Sequence, residues 1–302
     1  METIGPPGFY WNIELSPGGK QLALEQLRTD TTQSDIWTMD LRDGRMSQIT
    51  NSGKAWGNST PRWSPDGRQI AFSSNRDQVD SGESGENLYV SQIDSGMRRE
   101  TLLVKNSQYK KPSDWWIGRK KPSDWSPDGR FFLYQNFGGT LTLLPLFGAR
   151  KSENFIGSAI DGRFSPNGHW VAYTVAFLAI DGYVVYVRAF PRSEKKWQVS
   201  RGLAMYPLWR KDGKELFYVE LAGKSKKLMS VEVKAGAGPD APFEASPPRT
   251  LFELPTPGGV DFGQYLYAAS PDGQSFYVFT QGAQQNLQAQ VVLNWTELLP
   301  KK

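Results

Sequence analysis

Trp63-Ser64-Pro65-Asp66-Gly67-Arg68, followed by Ile70-Ala71-Phe72, is the stretch that decides how this chain folds. Proline presets φ, the Asp side chain bonds back to the backbone, and Gly takes the positive φ that closes a tight hairpin. The mark recurs as Ser16-Pro-Gly-Gly-Lys20, Ser126-Pro-Asp-Gly-Arg130, Ser165-Pro-Asn-Gly-His169, Arg210-Lys-Asp-Gly-Lys214 and Ser270-Pro-Asp-Gly-Gln274. These six copies stand roughly 40 to 60 residues apart, the period of propeller blades.

An apolar residue precedes each turn: Leu15, Trp63, Trp125, Phe164, Trp209 and Ala269. The strands that follow, among them Leu22-Ala-Leu24, Phe131-Phe-Leu-Tyr134 and Leu216-Phe-Tyr-Val219, are apolar on both faces, as strands sandwiched between neighbouring sheets must be. A third strand follows in each unit, such as Ile36-Trp-Thr-Met39 and Val184-Val-Tyr-Val187. Outer fourth strands are expected at Ser47 to Thr50, Thr101 to Val104, Trp197 to Ser200 and Thr250 to Glu253, with a weaker one near Lys151 to Phe155. The pattern predicts an all-β chain, a six-bladed β-propeller of four-stranded antiparallel blades forming one domain over residues 1–302. The last unit runs out after its third strand, so Glu2 to Ile4 is expected to pair near Val291 to Trp295 and close the ring.

The composition fits: 30 Gly and 20 Pro among 302 residues describe a globular chain rich in turns. With no cysteine, disulfides and thiolate metal sites are excluded. The apolar stretches Val171 to Ile180 and Tyr183 to Val187, interrupted by Thr174, Asp181 and Gly182, are too short for a membrane span, so no membrane insertion is expected. Met1 to Tyr10 lacks the basic start and apolar run of a secretory signal. A net charge of +4, spread along the chain, gives nucleic-acid binding little support.

Trp63 to Arg68 with Ile70-Ala-Phe-Ser-Ser-Asn-Arg-Asp77 and Asn87-Leu-Tyr-Val90 resembles the repeat of TolB-type propellers, and the likeness recurs along the whole chain. Lys196-Trp-Gln-Val-Ser200, Trp209 to Tyr218 and Val291-Val-Leu-Asn-Trp295 are similar to the C-terminal propeller of acidobacterial-type bacterial serine/threonine kinases. That resemblance implies a sensor or interaction module held outside the membrane, periplasmic or otherwise extracytoplasmic. The kinase itself is absent. There is no Gly-rich loop with its strand lysine and no His-Arg-Asp loop, and the isolated Asp261-Phe262-Gly263 has none of its partners. Two departures stand out. Lys111 to Lys120 is followed by a second Lys-Pro-Ser-Asp-Trp at Lys121 to Trp125, and blade four carries the apolar Val175 to Ile180, which folds inward, forms a contact patch or simply extends a hairpin.

His169, the only histidine, sits in a turn slot occupied elsewhere by Lys, Arg or Gln, so a serine triad or histidine-ligated metal is not expected. Glu14, Arg62, Asp124 and Arg163 stand two residues before the turn residue in blades one to four, on the innermost strands. Alternating signs at one level predict mutual pairing, with a catalytic acid and base as the other reading. Asp77, Asp80, Glu83 and Glu86 have a calcium-friendly composition without the spacing of a known calcium loop; no cofactor is predicted, with calcium left possible. Gly236 to Pro248 reads as a long surface excursion between strands.

Two functions are open: a ligand-binding or protein-interaction propeller, or a hydrolase or lyase acting in the channel on a small ester, lactone, phosphotriester or sugar. Loops entering the blades converge beside the axis. They carry Lys54, Trp56 and Asn58, then Tyr109, Lys110, Lys111, Trp115, Trp116, Arg119, Lys120 and Lys121, then Met205 and Tyr206, then Phe262 and Tyr265. Aromatics interleaved with cations suit a small anionic or sugar-like ligand or an acidic peptide at that mouth; the other reading is that the Trp residues pack beneath a long loop and the lysines keep it soluble.

Overall fold

The computed structural model describes residues 2–31, 33–53, 56–77, 86–93, 99–105, 120–136, 139–177, 182–191, 193–223, 225–236, 238, 241–255, 265–281 and 287–292. Every element described from end to end is a strand. Blade 1 holds β1 (Glu2–Leu15), β2 (Gln21–Leu27), β3 (Ser34–Asp40) and β4 (Met46–Gln48); blade 2 holds β5 (Asn58–Trp63), β6 (Gln69–Ser74), β7 (Asn87–Gln92) and β8 (Glu100–Val104). Blade 3 holds β9 (Lys121–Trp125), β10 (Phe131–Asn136), β11 (Thr140–Pro145) and β12 (Glu153–Ile156); blade 4 holds β13 (Ala159–Phe164), β14 (Trp170–Phe177), β15 (Gly182–Ala189) and β16 (Lys196–Gln198). Blade 5 holds β17 (Ala204–Trp209), β18 (Glu215–Ala222), β19 (Ser225–Ala235), β20 (Phe243–Ala245) and β21 (Arg249–Glu253), and blade 6 holds β22 (Tyr267–Ala269), β23 (Phe276–Gln281) and β24 (Leu287–Val292).

The repeated turn works as its residue types dictate. Ser64 Oγ accepts from Gln69 N at 3.0 Å and donates to Asp66 Oδ1 at 2.6 Å, while the same carboxylate oxygen accepts from Arg68 N at 3.0 Å. Gly67 takes φ 70°. Blade 5 reaches the same end by other means: Arg210 replaces Ser, and its Nε and Nη2 grip both oxygens of Asp212 at 2.8 Å.

Apolar side chains on both faces of the second strands are buried between blades. Leu22, Ala23 and Leu24 are wholly buried, as are Ile70, Ala71 and Phe72. The core is accordingly divided into six radial clusters, each formed by two neighbouring blades. Each large apolar residue so buried contributes about 1.5–3 kcal/mol. The cluster of Leu22, Leu24 and Met39 with Ala268 and Phe279 joins blade 1 to blade 6 and closes the circle.

Closure also uses the backbone. The start of β1 lies along β24, with Glu2 opposite Val291, Thr3 opposite Gln290 and Ile4 opposite Ala289, before the strand crosses into blade 1. The N-terminal segment is therefore the outer strand of blade 6, at the expected partner; Trp295 lies outside the described residues. The outer strands fall within a residue or two of their expected places. In blade 4 the apolar segment extends the hairpin at least as far as the Phe177–Gly182 pair. Within the Gly236 to Pro248 excursion, β20 folds back on the long β19 and seats Phe243 against Trp170 and Trp197.

Deleting residues Met1 to Gly5 removes this ladder and is expected to lower the thermal midpoint by several degrees, at about 2–4 °C per kcal/mol for a domain of this order. An unchanged midpoint in differential scanning calorimetry would show that the clasp carries no stability.

Candidate functional site

The innermost strands bring Glu14, Arg62, Asp124 and Arg163 together at one level of the axis, and each ties its blade to another. Glu14 Oε2 accepts from Trp63 N of blade 2 at 2.7 Å. Arg62 Nε donates to Ser123 O of blade 3 at 2.8 Å, and Asp124 Oδ2 accepts from Phe164 N of blade 4 at 2.8 Å. Arg163 reaches back across the axis, its Nη1 2.9 Å from Glu14 Oε1 and 3.9 Å from Asp124 Oδ1. The expected mutual pairing is the arrangement found. Blades 5 and 6 place Leu208 and Ala268 at the equivalent positions, so the ring of charge covers four blades of the circle.

Burial sets the electrostatics. Arg62 is fully buried and Arg163 nearly so, whereas the Glu14 and Asp124 side chains keep 15% and 21% of their surface. Burial opposes the charge on Arg163, but Glu14 and Asp124 outweigh it and the pKa of Arg163 is raised. Burial pushes the Asp124 carboxyl up to about 6, against the attraction of Arg163 and with the repulsion of Glu14.

Above the ring, on the side where loops enter the blades, the axis is filled by Tyr265. Its ring lies 3.6 Å from the Arg62 guanidinium carbon and 4.8 Å from that of Arg163, a double cation–π contact. Burial pushes its hydroxyl up to about 12. Its backbone N donates to Asn12 Oδ1 at 2.7 Å, and Asn12 Nδ2 in turn bonds the buried Glu25, which also accepts from Ser34 Oγ and Thr60 N. Asp161 lies beside Tyr265, Lys121 and both guanidiniums; burial raises its carboxyl, and Oδ2 has no hydrogen-bond partner.

A common backbone device positions these groups. The registers of β5, β13 and β17 slip at the same level, between five and two residues before the turn, and Thr60, Asp161 and Tyr206 take φ of 54°, 54° and 60° there; β1 and β9 also slip, one residue farther from the turn and one nearer to it. Bulges of this kind re-aim side chains. Glu25 and Asp161, both buried, join these polar contacts although no motif marks them.

Of the residues expected at the loop mouth, Trp56 and Lys120 are half-buried beside the starts of β5 and β9, and Lys120 Nζ donates to Asn136 Oδ1 at 2.7 Å. Tyr206 and Tyr265 are buried inside the axis, packed edge to face. Lys54, Tyr109, Lys110, Lys111, Trp115, Trp116, Arg119 and Phe262 lie outside the described residues, as do Asp80 and Glu83. Asp77 accepts from Tyr89 Oη at 2.8 Å and from Asn87. Among the described residues no three His, Cys, Asp or Glu side chains converge as a metal site.

The opposite end of the axis opens between the repeated turns. Two adjoining cavities of about 250 and 210 Å³ share Glu14, Arg163, Leu208 and Trp209 as walls and floor. A larger cleft of about 630 Å³ lies away from the axis between blades 4 and 5, rimmed by Lys214, Lys234 and Glu244.

No known family profile matches the chain. Among solved structures it is similar to TolB from Acinetobacter baumannii, at TM-score 0.63 and 15% identity over 95% of this chain and 61% of that one. It is similar also to a putative TolB from Agrobacterium tumefaciens (0.61, 17%, 95% and 90%) and to an oligogalacturonate lyase in complex with manganese (0.56, 10%, 95% and 90%). The chain has a β-propeller fold similar to that of these structures. In sequence it is 34% identical over 104 residues to the uncharacterized peptidase YuxL of Bacillus subtilis, a match to 34% of this chain and 13% of that protein.

Because the folded pKa of Asp124 lies above the unfolded value of about 3.9, its contribution to stability is fully present below that value and is lost as pH rises through about 6. Between pH 7.5 and pH 5 the chain is expected to gain stability relative to Asp124→Asn, whose amide does not titrate. Parallel midpoint-versus-pH profiles for the two would contradict the assignment.

Proposed function

We propose that the chain is a ligand-binding or protein-interaction propeller of the sensor type, without kinase activity. The observation that carries this reading is the engagement of the axial charges: Glu14 and Asp124 each accept a backbone N–H from the next blade, and the guanidinium of Arg163 joins them. Groups so committed hold blades together; they are not poised to exchange protons with a substrate. The resemblance to the propeller of acidobacterial-type kinases supports an extracytoplasmic module of the same kind. The ligand mouth of this reading is the loop face, with Tyr109 to Trp125 as its dominant loop and a small anionic or sugar-like ligand or an acidic peptide as its occupant. Exposed Trp11 and Leu203, near the loop ends of β1 and β17, add apolar surface there.

The raised carboxyl of Asp124 favours a second reading, a hydrolase or lyase of the channel, and a manganese-bound lyase shares the fold. Calcium assistance would need converging oxygen ligands, and among the described residues no three Asp, Glu, His or Cys side chains converge.

A panel of chromogenic esters, phosphotriesters and glycosides, assayed with and without chelator, is expected to show no turnover, whereas a thermal-shift screen of anionic sugars and acidic peptides is expected to give hits. These hits should be lost on excising Lys111 to Lys120 and weakened in Trp116→Ala and Lys120→Ala. Turnover abolished by Asp124→Asn in a folded protein would replace the binding reading with the enzymatic one.

A further inference from the structure

Among the described residues only blade 5 carries a fifth strand, β20, and the excursion that forms it walls the groove between blades 4 and 5 on the turn face. Beyond Ala235 the chain doubles back, Gly236 N donating to Pro242 O at 3.1 Å, and then pairs with β19 again. This hairpin is pinned to blade 4: Trp170 Nε1 donates to Gly236 O at 2.9 Å, and Phe243 packs on Trp170 and Trp197. Toward the axis the turns of the two blades stand together, since a side-chain carbon at Gly213 would come within 3.7 Å of Pro166. Between them lies the cleft of about 630 Å³, inside the roughly 300–1,000 Å³ of sites that enclose small ligands.

Strand alternation decides what the cleft presents. Leu216 and Tyr218 of β18 and Val231 and Val233 of β19 face Trp170 of blade 4 in one cluster. Lys214 stands two residues before Leu216, and its carbonyl accepts from Val233 N at 2.8 Å, so it continues that row and lines the cleft with Trp170, Trp209 and Val233. Lys214 bonds only through its backbone, which leaves the ammonium without an ion pair among the described residues. The carboxylates nearby are engaged or turned away. Asp212 gives both oxygens to Arg210 at 2.8 Å. Lys234 and Glu244 stand directly opposite each other across β19 and β20 and alternate with Val233 and Phe243, so they share the other face of the hairpin and offset one another at the rim. A cation in the cleft therefore meets an unpaired ammonium and no open carboxylate among the described residues, whereas an anion meets its complement. A sugar ring would lose water from its hydroxyls against Val233, Ala235 and Pro242, and Ser165 Oγ is already bonded to Asn167 Oδ1 at 2.6 Å. We propose that the cleft between blades 4 and 5 binds an organic monocarboxylate with an apolar body, its carboxylate on Lys214. Position separates this site from the loop mouth, and the apolar body separates its ligand from a sugar acid or an acidic peptide.

NMR titration of the full chain tests this with phenylacetate, against phenylacetamide and phenethylammonium, which keep the ring without the negative charge, and glucuronate, which keeps the charge without the apolar ring. Phenylacetate is expected to move the indole N–H signal of Trp170, whose partner Gly236 lines the cleft, and the other three to leave it in place. Lys214→Gln puts in this slot the residue that blade 6 carries there as Gln274, and should weaken phenylacetate by about tenfold. Ala235→Leu, which fills the cleft, should weaken it at least as much. Excising Lys111 to Lys120 should leave it unchanged, so failure of the loop mouth and failure of this site are told apart. A silent phenylacetate, equal binding of the amide, preference for the ammonium, a Trp170 signal that glucuronate moves as far, or unchanged affinity in Lys214→Gln overturns the proposal. If Ala235→Leu fails to fold, Lys214→Gln and the indole signal still decide it.

Discussion

Glu14 gives one carboxylate oxygen to the backbone of the next blade and the other to a guanidinium from across the axis, and the centre of the propeller is organised around that division. Six blades packed face to face would leave an axial column of inner strands with polar edges toward the centre. The circumferential bonds of Glu14, Arg62 and Asp124 fasten blade 1 to 2, 2 to 3 and 3 to 4, and Arg163 returns the chain of contacts to blade 1. Indoles repeat the theme one residue along: Trp125 Nε1 points to Arg62 O and Trp209 Nε1 to Arg163 O. Losing one member of such a set leaves a charge buried without its partner, a cost of about 3–5 kcal/mol, although an apolar replacement of the whole set can be neutral. The ring is therefore better understood as specifying how blades meet than as a net source of stability.

Where the charges stop, aromatic packing takes over. Blade 6 contributes Ala268 at the ring level, and one bulge level away it contributes Tyr265, which places a ring against both guanidiniums. One of the two blades without a charge at that level thus supplies the surface on which two others rest. Tyr267 of the same blade donates its hydroxyl to Tyr206 O, joining blades 6 and 5 at a point where the latter has its own left-handed residue.

The sequence made the turns and the ring legible because both follow from local rules. Ser-Pro-Asp-Gly closes a hairpin wherever it stands, and an offset of two residues from the turn puts Glu14 and Arg163 on the same side of an inner strand. The sign alternation even indicated that the charges would pair. Three features were beyond such reasoning. Thr60 and Tyr206 are residue types that disfavour positive φ, so the bulges that aim Asp161 and its equivalents inward are imposed by neighbouring blades and not by their own side chains. Tyr265 looked like a mouth aromatic because sequence places it in the segment entering blade 6; only the packing of three blades turns it into the axis. Glu25 lies in an apolar second strand, and its partners Asn12, Ser34 and Thr60 come from three other strands.

These tertiary constraints make the two faces of the molecule different in kind. The turn face is built from one short motif repeated six times, so its geometry is held by local bonds such as those of Ser64 and Asp66 and by contacts between successive turns. The segments that enter the blades on the loop face are unequal in length and composition. With Tyr265 filling the axis between Arg62 and Arg163, a group in the cavities at the turn end of the axis does not contact one at the loop mouth through open space. Any coupling between the faces has to pass through that ring and the two guanidiniums that hold it, whose charges are balanced by Glu14 and Asp124 on the turn side and by Asp161 on the other. The same residues that tie the blades are thus the physical connection between the two mouths, and a change in their charge state is felt on both.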